Sequence, residues 1–425
     1  MSAICHPPPG GVILLSREPS RDAPRVSFTE RGHLRCLLGA TFIEATAFLD
    51  AHPWQGVRKC LINQPGFQRL TVIGVLGAGG HGSGLHNGPI ASQVAAIELG
   101  PIPGGRTTTR RLERGEPDFD RVLTHLGRLG PVLAVELDVV DRFRLAESRE
   151  VLEIHGNAAT RERQLSALIR RAIVAQADPR VHSADVWIAP YAQARIVVAA
   201  LGTRHFTRQS VSAWQRPLAL RSAALLQAAN VAWNVATALR PGTVPGMLQQ
   251  AVRMTATRRL VLEARDALDL GAPNRLPMHA IETAIDLDDV ARATRAIVTT
   301  LAYLEEIATR RSLYVCAPVG IRFVGTTTAA GLSPHAGRRR TMHIEVPTFA
   351  DPRLRAAEVL APLQRLFARD FSGRPHWGQG LYLSATELRP MWDDSELREL
   401  RAIVARDDPH GVFANPLLDS LLALG

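Results

Sequence analysis

Apolar residues recur at steps of three and four along several stretches of the chain, which is the spacing of one face of an α-helix. The longest stretch comprises Val290, Ala293, Ile297, Leu301, Leu304 and Ala308. The same spacing predicts helices over residues 41–51, 119–129 and 159–176. Asp286 and Asp288 precede the longest stretch, and we expect their side chains to cap that helix.

Short apolar or alternating runs predict the β-strands. These runs occupy residues 12–15, 25–28, 71–76, 93–99, 132–140, 184–188, 195–201, 279–285, 320–324 and 342–346. From residue 279 onward the order is strand, helix, strand, strand, helix, which is that of a split βαβ unit. The final helix is expected to begin at Asp351-Pro352, because a proline in the first turn loses no hydrogen bond. The chain is therefore predicted to be α+β.

The composition is that of an ordinary globular protein, because 46% of the residues are hydrophobic and 21% are charged. A chain of 425 residues is too long for one hydrophobic core and suggests two or three domains. Its most apolar stretch, residues 218–239, is interrupted by Arg221, Gln227 and Asn230. We therefore predict a buried or amphipathic helix there rather than a membrane span.

The formal net charge of +10 raises the question of an anionic partner. The basic residues are scattered along the chain, and their longest run is Arg338-Arg339-Arg340. Because nucleic-acid sites concentrate such residues on one face, we expect no nucleic-acid partner.

The cysteines bear on the cellular compartment. They are Cys5, Cys36, Cys60 and Cys316, and no two of them form a C-x-x-C pair. Scattered thiols in a chain of this length are typical of a reducing compartment. The N-terminus lacks a basic start followed by an apolar core, so no signal peptide is predicted and a cytoplasmic location is expected. The sequence leaves association with a membrane surface open.

Residues 71–88, TVIGVLGAGGHGSGLHNG, are rich in glycine, and residues 77–82 match the dinucleotide-binding pattern G-x-G-x-x-G. That pattern requires a helix directly after it, which residues 83–89 cannot form, so an NAD-dependent dehydrogenase loses its main support. Glycines also let backbone N–H groups approach a flat or anionic cofactor and leave room for an aromatic ring. The glycines with this expected role are Gly79, Gly80, Gly82 and Gly84. A flexible surface turn is the alternative.

The glycine-rich segment also contains two histidines, His81 and His86. A protein metal site needs further ligands at suitable spacing, and no third ligand is placed to join this pair. No metal site is therefore predicted.

Motifs along the chain occur in a recognisable order. Residues 71–99 contain T-x-x-G followed by H-G-x-G, and residues 125–130 have the sequence H-L-G-R-L-G. Residues 373–378 have the sequence G-R-P-H-W-G, and residues 408–415 have D-P-H-G-V-F-A-N. Together with the paired strands predicted within residues 318–347, these motifs resemble the vanillyl-alcohol oxidase superfamily, and most closely its aldonolactone oxidase and alditol oxidase branch.

This resemblance implies an α+β fold of two domains, a PCMH-type FAD-binding domain and a mixed α/β cap domain that holds the substrate. The FAD-binding domain, N-terminally shortened, is expected over residues 1–150 and the cap domain over residues 151–370. Residues 371–425 are expected to return to the flavin site. The implied cofactor is FAD. The implied reaction is oxidation of a CH–OH group on a sugar, aldonolactone or polyol, with hydride passing to the flavin and dioxygen as the acceptor.

The site residues are nominated from this resemblance and from side-chain chemistry. Arg322 is the candidate positive group, because arginine stays charged in a buried pocket, and a structural salt bridge is the alternative. His376 is the candidate base or substrate contact, with a packed core histidine as the alternative, and Gln379 is a candidate donor to the substrate. His343 is a candidate to face the flavin, with a solvent-facing polar residue on an alternating strand as the alternative, and Glu282 is a candidate to replace a missing carboxylate. The candidate flavin contacts are Gly79, Gly80, His81, Gly82, Ser83, Gly84 and Asn415.

Three departures from the family pattern are expected to matter. No R-G-x-G-H-S loop precedes Thr41, so the loop for the flavin diphosphate is expected to be missing and no histidine is nominated for a covalent flavin link. Gly320 stands where the family commonly has the glutamate of Glu-x-Arg. Gln379 stands where a lysine usually follows R-P-H-W-G. These departures favour an alternative function, that of a non-catalytic relative acting as a binding or accessory protein.

Overall fold

The computed structural model describes residues 24–211, 240–269, 277–325 and 330–423. The strand predicted at residues 12–15, the apolar stretch at residues 218–239 and Cys5 lie outside the described residues. Within the four described ranges, no helix combines the length and the apolar character needed to cross a lipid bilayer.

The described chain contains fifteen strands, numbered here in chain order. They are β1 (Val26–Phe28), β2 (Leu34–Leu37), β3 (Lys59–Cys60), β4 (Val94–Leu99), β5 (Arg110–Glu113), β6 (Val132–Leu137), β7 (Val140–Asp141), β8 (Arg144–Ile154), β9 (Val181–Ile188), β10 (Val197–Thr207), β11 (Thr257–Glu263), β12 (Met278–Asp286), β13 (Val319–Val324), β14 (Thr341–Phe349) and β15 (Arg374–Pro375). The α-helices of the same described ranges are α1 (Phe42–Ala51), α2 (Val72–Gly77), α3 (Phe119–Leu123), α4 (Ala158–Ala175), α5 (Val244–Met254), α6 (Ala264–Leu268), α7 (Val290–Arg311), α8 (Ala356–Phe371), α9 (Ala385–Leu388), α10 (Asp394–Asp407) and α11 (Pro416–Leu422).

Two antiparallel sheets organise these elements. The smaller sheet has five strands in the order β1-β2-β6-β4-β5, and the larger has eight in the order β11-β8-β10-β9-β13-β14-β12-β15. Strands β3 and β7 form a separate two-stranded ribbon. The combination of helices with antiparallel sheets confirms the predicted α+β class.

Helices α4, α7 and α8 cover one face of the larger sheet. The apolar stripe of α7 is buried against it, as its periodicity predicted. Ile281, Ile321 and Ile344, from β12, β13 and β14, are fully buried in the same core. Burying each such side chain stabilises the fold by about 1.5–3 kcal/mol. Because side chains alternate along a strand, the neighbours of these isoleucines point to the opposite face, where the candidate site lies.

The smaller sheet has its own core, which the C-terminal helices complete. Leu397 and Leu400 of α10 and Leu418 of α11 belong to the same buried cluster as Val94 and Ile97 of β4. The C-terminal part of the chain therefore packs on the sheet that the N-terminal strands form.

Residues 72–77 form helix α2, so the strand predicted at residues 71–76 is wrong. The Thr71 side chain caps the helix by accepting a hydrogen bond from the backbone N–H of Gly74. The apolar residues of α2 are buried on almost every side, from Val72 to Leu76. Burial on all sides hides the period of a helix and leaves an apolar run that resembles a buried strand.

Two helix ends also differ from the predictions. Helix α3 stops at Leu123 rather than at residue 129, because Leu126 and Gly127 adopt positive φ angles that no α-helix contains. Helix α7 is capped by Asp289, whose side chain accepts from the N–H of Arg292, and not by Asp286 or Asp288. Strands β2, β5, β8 and β11 were not predicted from the sequence.

Candidate active site

The glycine-rich segment leaves α2 and attaches to the larger sheet. The backbone N–H of Gly84 donates to the carbonyl of Phe323 over 2.6 Å, and Gly84 pairs in parallel with Val324 at the end of β13. The N–H of Gly325 in turn donates to the carbonyl of Asn87 over 2.9 Å. The segment therefore joins the two sheets at the end of a strand that carries the predicted site arginine.

Three adjacent strands place the polar side chains of the site in one row. Gly320 of β13 lies directly opposite Glu345 of β14, which lies directly opposite Glu282 of β12. Arg322 lies opposite His343 in the next row of the same face. These residues share a face because each strand alternates its side chains between two sides.

A guanidinium and an amide lie beside both carboxylates. Arg322 Nη2 is 2.8 Å from Glu345 Oε2, and Arg322 Nη1 is 3.8 Å from Glu282 Oε1. The amide nitrogen of Gln379 donates to Glu282 Oε2 over 2.8 Å and to Glu345 Oε1 over 3.2 Å. Arg322 and Gln379, two of the three nominated catalytic residues, thus meet at a carboxylate pair.

The two carboxyl groups differ in their surroundings. Burial acts to raise the pKa of Glu282, but His81, His343 and Arg322 together hold that pKa well below its usual range. Burial raises the pKa of Glu345, which Arg322 opposes and the negative charge of Glu282 reinforces. The structure thus favours an ionised Glu282 and a more readily protonated Glu345.

Four histidines gather around Glu282. His81 Nε2 lies 3.1 Å and His343 Nδ1 lies 3.5 Å from Glu282 Oε1. The rings of His335 and His376 lie 5.6 Å and 5.4 Å from the ring of His81, measured between centroids. Burial lowers the pKa of His343 to about 3 and that of His376 to about 4, so both rings are neutral near pH 7.

Several buried polar atoms of this cluster have no well-directed hydrogen bond to any described residue. They are His81 Nε2, Glu282 Oε1, His335 Nε2, His343 Nδ1 and Gln379 Oε1. Buried polar atoms are normally paired, since an unpaired one costs about 1–3 kcal/mol. Such a set suits a ligand whose own edge carries donors and acceptors, as the flavin ring system does. The residues present therefore fit an FAD cofactor.

His81, Glu282 and His376 each bring one nitrogen or oxygen atom within 4.8 Å of the others. We assign no metal ion to this group, because the Arg322 guanidinium already faces the same Glu282 oxygen. In addition, Nδ1 of His376 accepts a hydrogen bond from the N–H of Gly378 over 3.1 Å. His86, the other histidine of the glycine-rich segment, is exposed.

The four nominated glycines are tightly packed. A Cβ atom at Gly82 would lie 1.9 Å from Asn63 Oδ1, and one at Gly80 would lie 2.3 Å from Val75 Cγ1. At Gly84 it would lie 2.4 Å from Asn87 Nδ2, and at Gly79 it would lie 2.8 Å from Pro334 Cδ. The expected free space beside these glycines is therefore occupied by protein atoms. Contact of their backbone with the flavin stays a prediction.

Ser83 and Asn415 have partners within the protein. The Ser83 hydroxyl donates to Asp185, a buried carboxylate of β9 that also binds Arg204 over 2.5 Å. Asn415 Oδ1 accepts hydrogen bonds from the backbone N–H groups of Leu417 and Leu418 in the first turn of α11, at 3.1 Å and 3.2 Å. Both side chains thus have a structural role, and their contact with flavin also stays a prediction.

Sequence reasoning did not nominate Glu345, His335 or Asp185. Glu345 lies two residues after His343 on the predicted strand at residues 342–346, so the alternation of side chains along a strand already placed both on one face. Only the pairing of β14 with β13 shows that this face also carries Arg322.

Comparison with known families decides the class of the protein. A family model for D-arabinono-1,4-lactone oxidase (ALO) matches residues 135–421, which is more than half of the chain. The chain belongs to this family. As a member of the D-arabinono-1,4-lactone oxidase family, it is an FAD-dependent oxidoreductase that acts on CH–OH groups, which confirms the cofactor and the reaction class predicted from its motifs.

Individual proteins agree with the ALO assignment. Alditol oxidase of Streptomyces sp. (strain IKD472 / FERM P-14339) is 27% identical over 99% of this chain and 88% of its own length. L-Gulono-1,4-lactone dehydrogenase of Mycobacterium tuberculosis (strain ATCC 25618 / H37Rv) is 23% identical over 84% of this chain and 75% of its own length. L-Gulonolactone oxidase of Mus musculus is 35% identical, but over only 25% of this chain and 24% of its own length.

The ALO family member also shares its fold with a solved structure. Cholesterol oxidase from B. sterolicum superposes with a TM-score of 0.64 over 93% of this chain and 83% of its own length. The two sequences are only 14% identical, so this likeness bears on the fold alone.

Proposed function

We propose that this chain oxidises a CH–OH group of a neutral polyol, sugar or aldonolactone, with FAD as the hydride acceptor and dioxygen as the final acceptor. The observation that carries the proposal is the placement of Arg322 and Gln379 beside two carboxylates, next to the glycine-rich segment. The names of the relatives support the substrate class, since they are oxidases or dehydrogenases of alditols and gulonolactones.

Arg322 is proposed to stabilise the negative charge that develops on the substrate oxygen. Its side chain is 21% exposed, whereas that of Glu282 beneath it is 2% exposed, so an entering substrate meets the arginine first. A fixed donor or cation at such a position typically contributes about 3 kcal/mol to the stability of the transition state.

His376 is proposed to bind the substrate as a hydrogen-bond donor. Because its Nδ1 accepts from the Gly378 N–H, the neutral ring carries its proton on Nε2. Burial lowers its pKa to about 4, which makes it a poor proton acceptor near neutral pH. Of the two roles considered from the sequence, this geometry favours substrate contact over general base.

The groups that hold the cofactor are proposed to lie on both the glycine-rich segment and the larger sheet, which meet where Gly84 pairs with Val324. FAD, when bound, supplies the two-electron acceptor for the hydride. The backbone of residues 79–84 and the His81 side chain are proposed to contact it from the glycine-rich segment. Nδ1 of His343 lies 3.5 Å from Glu282 Oε1 without a well-directed hydrogen bond, which supports a contact from β14 of the larger sheet. The buried amide oxygen of Gln379 has no hydrogen bond to any described residue, which supports a second contact from the C-terminal segment.

We also propose the domain boundaries and the compartment that the sequence suggested. The larger sheet and its helices support a cap domain over residues 151–370, extended by the start of β8 at Arg144 and by β15 at Arg374–Pro375. The smaller sheet and the C-terminal helices packed on it support the flavin domain. A cytoplasmic location is supported by Cys36 and Cys60, neither of which forms a disulfide within the described residues.

The proposal is tested first by the absorption spectrum of the purified full chain, before and after acid precipitation. Flavin bands are expected, in the protein as isolated or after incubation with FAD. Anaerobic addition of alditols and aldonolactones is then expected to bleach the flavin band. A colourless chain that fails to bind added FAD would refute the proposal, and bound flavin that no such substrate bleaches would favour the non-catalytic alternative.

The final acceptor is tested by mixing the reduced protein with air-saturated buffer in a stopped-flow instrument. Rapid reoxidation is expected for an oxidase. A reduced flavin that persists in air but is reoxidised by an artificial electron acceptor would identify a dehydrogenase instead.

A further inference from the structure

We infer that Glu345 is the group that accepts the proton of the substrate hydroxyl, and that Gly320 provides the space in which the Glu345 carboxylate lies. This inference rests on the proposed function, because it assigns a role within the same site. It names a residue that the sequence motifs did not indicate.

The first observation is the pairing of position 320 with position 345. Gly320 and Glu345 are direct partners across β13 and β14. A Cβ atom built on Gly320 would lie 3.5 Å from Glu345 Oε2 and 3.7 Å from Glu345 Cβ, which is ordinary van der Waals contact. The Glu345 carboxylate therefore occupies the volume directly above the glycine.

The second observation is that the Glu345 carboxylate is paired with Arg322. In the motif Glu-x-Arg the carboxylate and the arginine are two residues apart on one strand, and here position 320 has no side chain. Glu345 of the neighbouring strand places its Oε2 atom 2.8 Å from Arg322. A carboxylate is thus paired with the same arginine, but it comes from β14 instead of β13.

The third observation is that Glu345 and Glu282 differ in solvent exposure. The side chain of Glu345 is 21% exposed, the same fraction as that of Arg322, whereas the side chain of Glu282 is 2% exposed. Glu345 is therefore the carboxylate that a substrate can reach. Glu282 lies beneath it among His81 and His343.

The charges around Glu345 suit a proton acceptor. Arg322 faces Glu345 from β13 and Glu282 faces it from β12. His343 lies two residues before it on β14, and the amide nitrogen of Gln379 donates to it from the C-terminal segment. His376 of the same segment lies beside Glu282, whose carbonyl accepts from the His376 N–H over 2.8 Å. His81 approaches Glu282 from the glycine-rich segment. Two carboxylates on adjacent strands repel each other when both are ionised. Burial and Glu282 raise the pKa of Glu345 while Glu282 stays ionised, and such a divergence marks the acid–base partner of a pair.

The proposed step is balanced in atoms and electrons. The substrate O–H bond breaks and its proton binds an oxygen of the Glu345 carboxylate. The electron pair of that bond forms the second bond of the new carbonyl group. The hydrogen on the same carbon would leave with its electron pair, and FAD, when bound, would supply the two-electron acceptor that balances this oxidation of the substrate.

The main variant is Glu345→Gln, which keeps the shape and removes the proton acceptor. We expect the rate of anaerobic flavin reduction by substrate to fall by about 10²–10⁴-fold. We also expect kcat/KM of the native enzyme to fall at acid pH as Glu345 becomes protonated, and this fall to be absent in Glu345→Gln. Glu306→Gln on the exposed surface of α7 is the matched control, and it should reduce flavin at the native rate. Equal rates in Glu345→Gln and the native enzyme would overturn the inference.

A relocation experiment tests the role of Gly320. In the background Glu345→Ala, the second change Gly320→Glu returns a carboxylate to β13 beside Arg322. We expect the double variant to reduce flavin at least about tenfold faster than Glu345→Ala alone, since one well-placed proton acceptor contributes 10²-fold or more. A double variant that folds and is no faster than Glu345→Ala would contradict the claim that the two positions share one volume.

A measurement without flavin or substrate separates this inference from the proposed function. A carboxyl group whose pKa is raised by folding binds its proton more tightly in the folded state than in the unfolded state. The resulting stabilisation is fully present below the unfolded pKa of about 4.3, and it is lost as pH rises through the folded pKa. The apoprotein is therefore expected to lose stability relative to Glu345→Gln as pH rises above about 4.3. A difference that does not change with pH would overturn the proton assignment, even if the native enzyme proves active. If no substrate reduces the native flavin, the proposed function fails, while this titration still decides how Glu345 holds a proton.

Discussion

The Ser83 hydroxyl donates a hydrogen bond to the Asp185 carboxylate, which joins the glycine-rich segment to strand β9 of the larger sheet. Asp185 also binds the Arg204 guanidinium over 2.5 Å, and Arg204 Nε lies 3.4 Å from Glu147. All four side chains are buried. The segment that the motifs assign to the flavin is thus held in place by a charged network of the cap sheet, so the position of the segment depends on both sheets.

Replacing Ser83 with alanine should destabilise the protein. The change removes one donor from a buried carboxylate, and an unsatisfied buried polar group costs about 1–3 kcal/mol. Urea denaturation monitored by circular dichroism measures the free energy of unfolding. Ser395→Ala is the matched control, because Ser395 is exposed on α10, and its effect should lie within about 0.5 kcal/mol of zero. Equal effects of the two changes would show that the Ser83–Asp185 bond does not stabilise the fold.

Replacing Arg322 with lysine should lower kcat/KM by about 10–100-fold. A lysine keeps the charge, but its single nitrogen cannot take the positions of the two guanidinium nitrogens that face Glu345 and Glu282. Steady-state kinetics with the best polyol or lactone substrate measure the effect. The exposed Arg310, which pairs with Glu306, provides the control Arg310→Lys, expected to be near native. Native kinetics in Arg322→Lys would mean that charge alone is required there.

Mild acid should destabilise the folded protein, because it favours protonation of the buried His125. Burial lowers its pKa to about 4, and its Nδ1 accepts from the Gly127 N–H over 2.9 Å. A histidine with a depressed pKa stabilises the fold above its unfolded pKa of about 6.5, and this contribution is lost as pH falls towards the folded pKa.

The expected loss from His125 is about 2 kcal/mol between about pH 7 and pH 5. It is measured as the pH dependence of the unfolding free energy of the native protein relative to His125→Gln. The exposed His86 provides the control substitution His86→Gln, which should leave the unfolding free energy at pH 7 within about 0.5 kcal/mol of the native value. A constant difference for His125→Gln as well would contradict the assigned pKa.

Replacing Gln379 with lysine should move the acid limb of kcat/KM to lower pH by about one unit. The amide nitrogen of Gln379 donates to both carboxylates, and an ammonium group at that place would favour the ionised form of Glu345. The pH profile of kcat/KM measures the shift. Gln250→Lys on the exposed surface of α5 adds the same charge far from the site and should leave the limb unchanged. A limb that stays in place in Gln379→Lys would show that Glu345 does not produce it.

The glycine-rich segment illustrates how far local patterns reach. Its motif led to the correct cofactor, and the absence of a helix directly after the glycines correctly argued against a dinucleotide-binding turn. Helix α2 before the glycines was mistaken for a strand, because burial on all sides removes the polar positions that reveal a helical period. The four glycines were chosen for the space they would leave, whereas Gly80 and Gly82 are required by the packing of Val75 and Asn63.

The sequence by itself determined the α+β class, the buried stripe of α7, the family and the nomination of Arg322, His376 and Gln379, because these depend on periodicity and on short motifs. Only the tertiary structure decided which groups surround the arginine. Positions 282, 320 and 345 meet because β12, β13 and β14 are neighbours in one register. A shift of one residue in that register would turn each side chain to the other face of the sheet, and no local pattern specifies the register between strands so far apart in the chain.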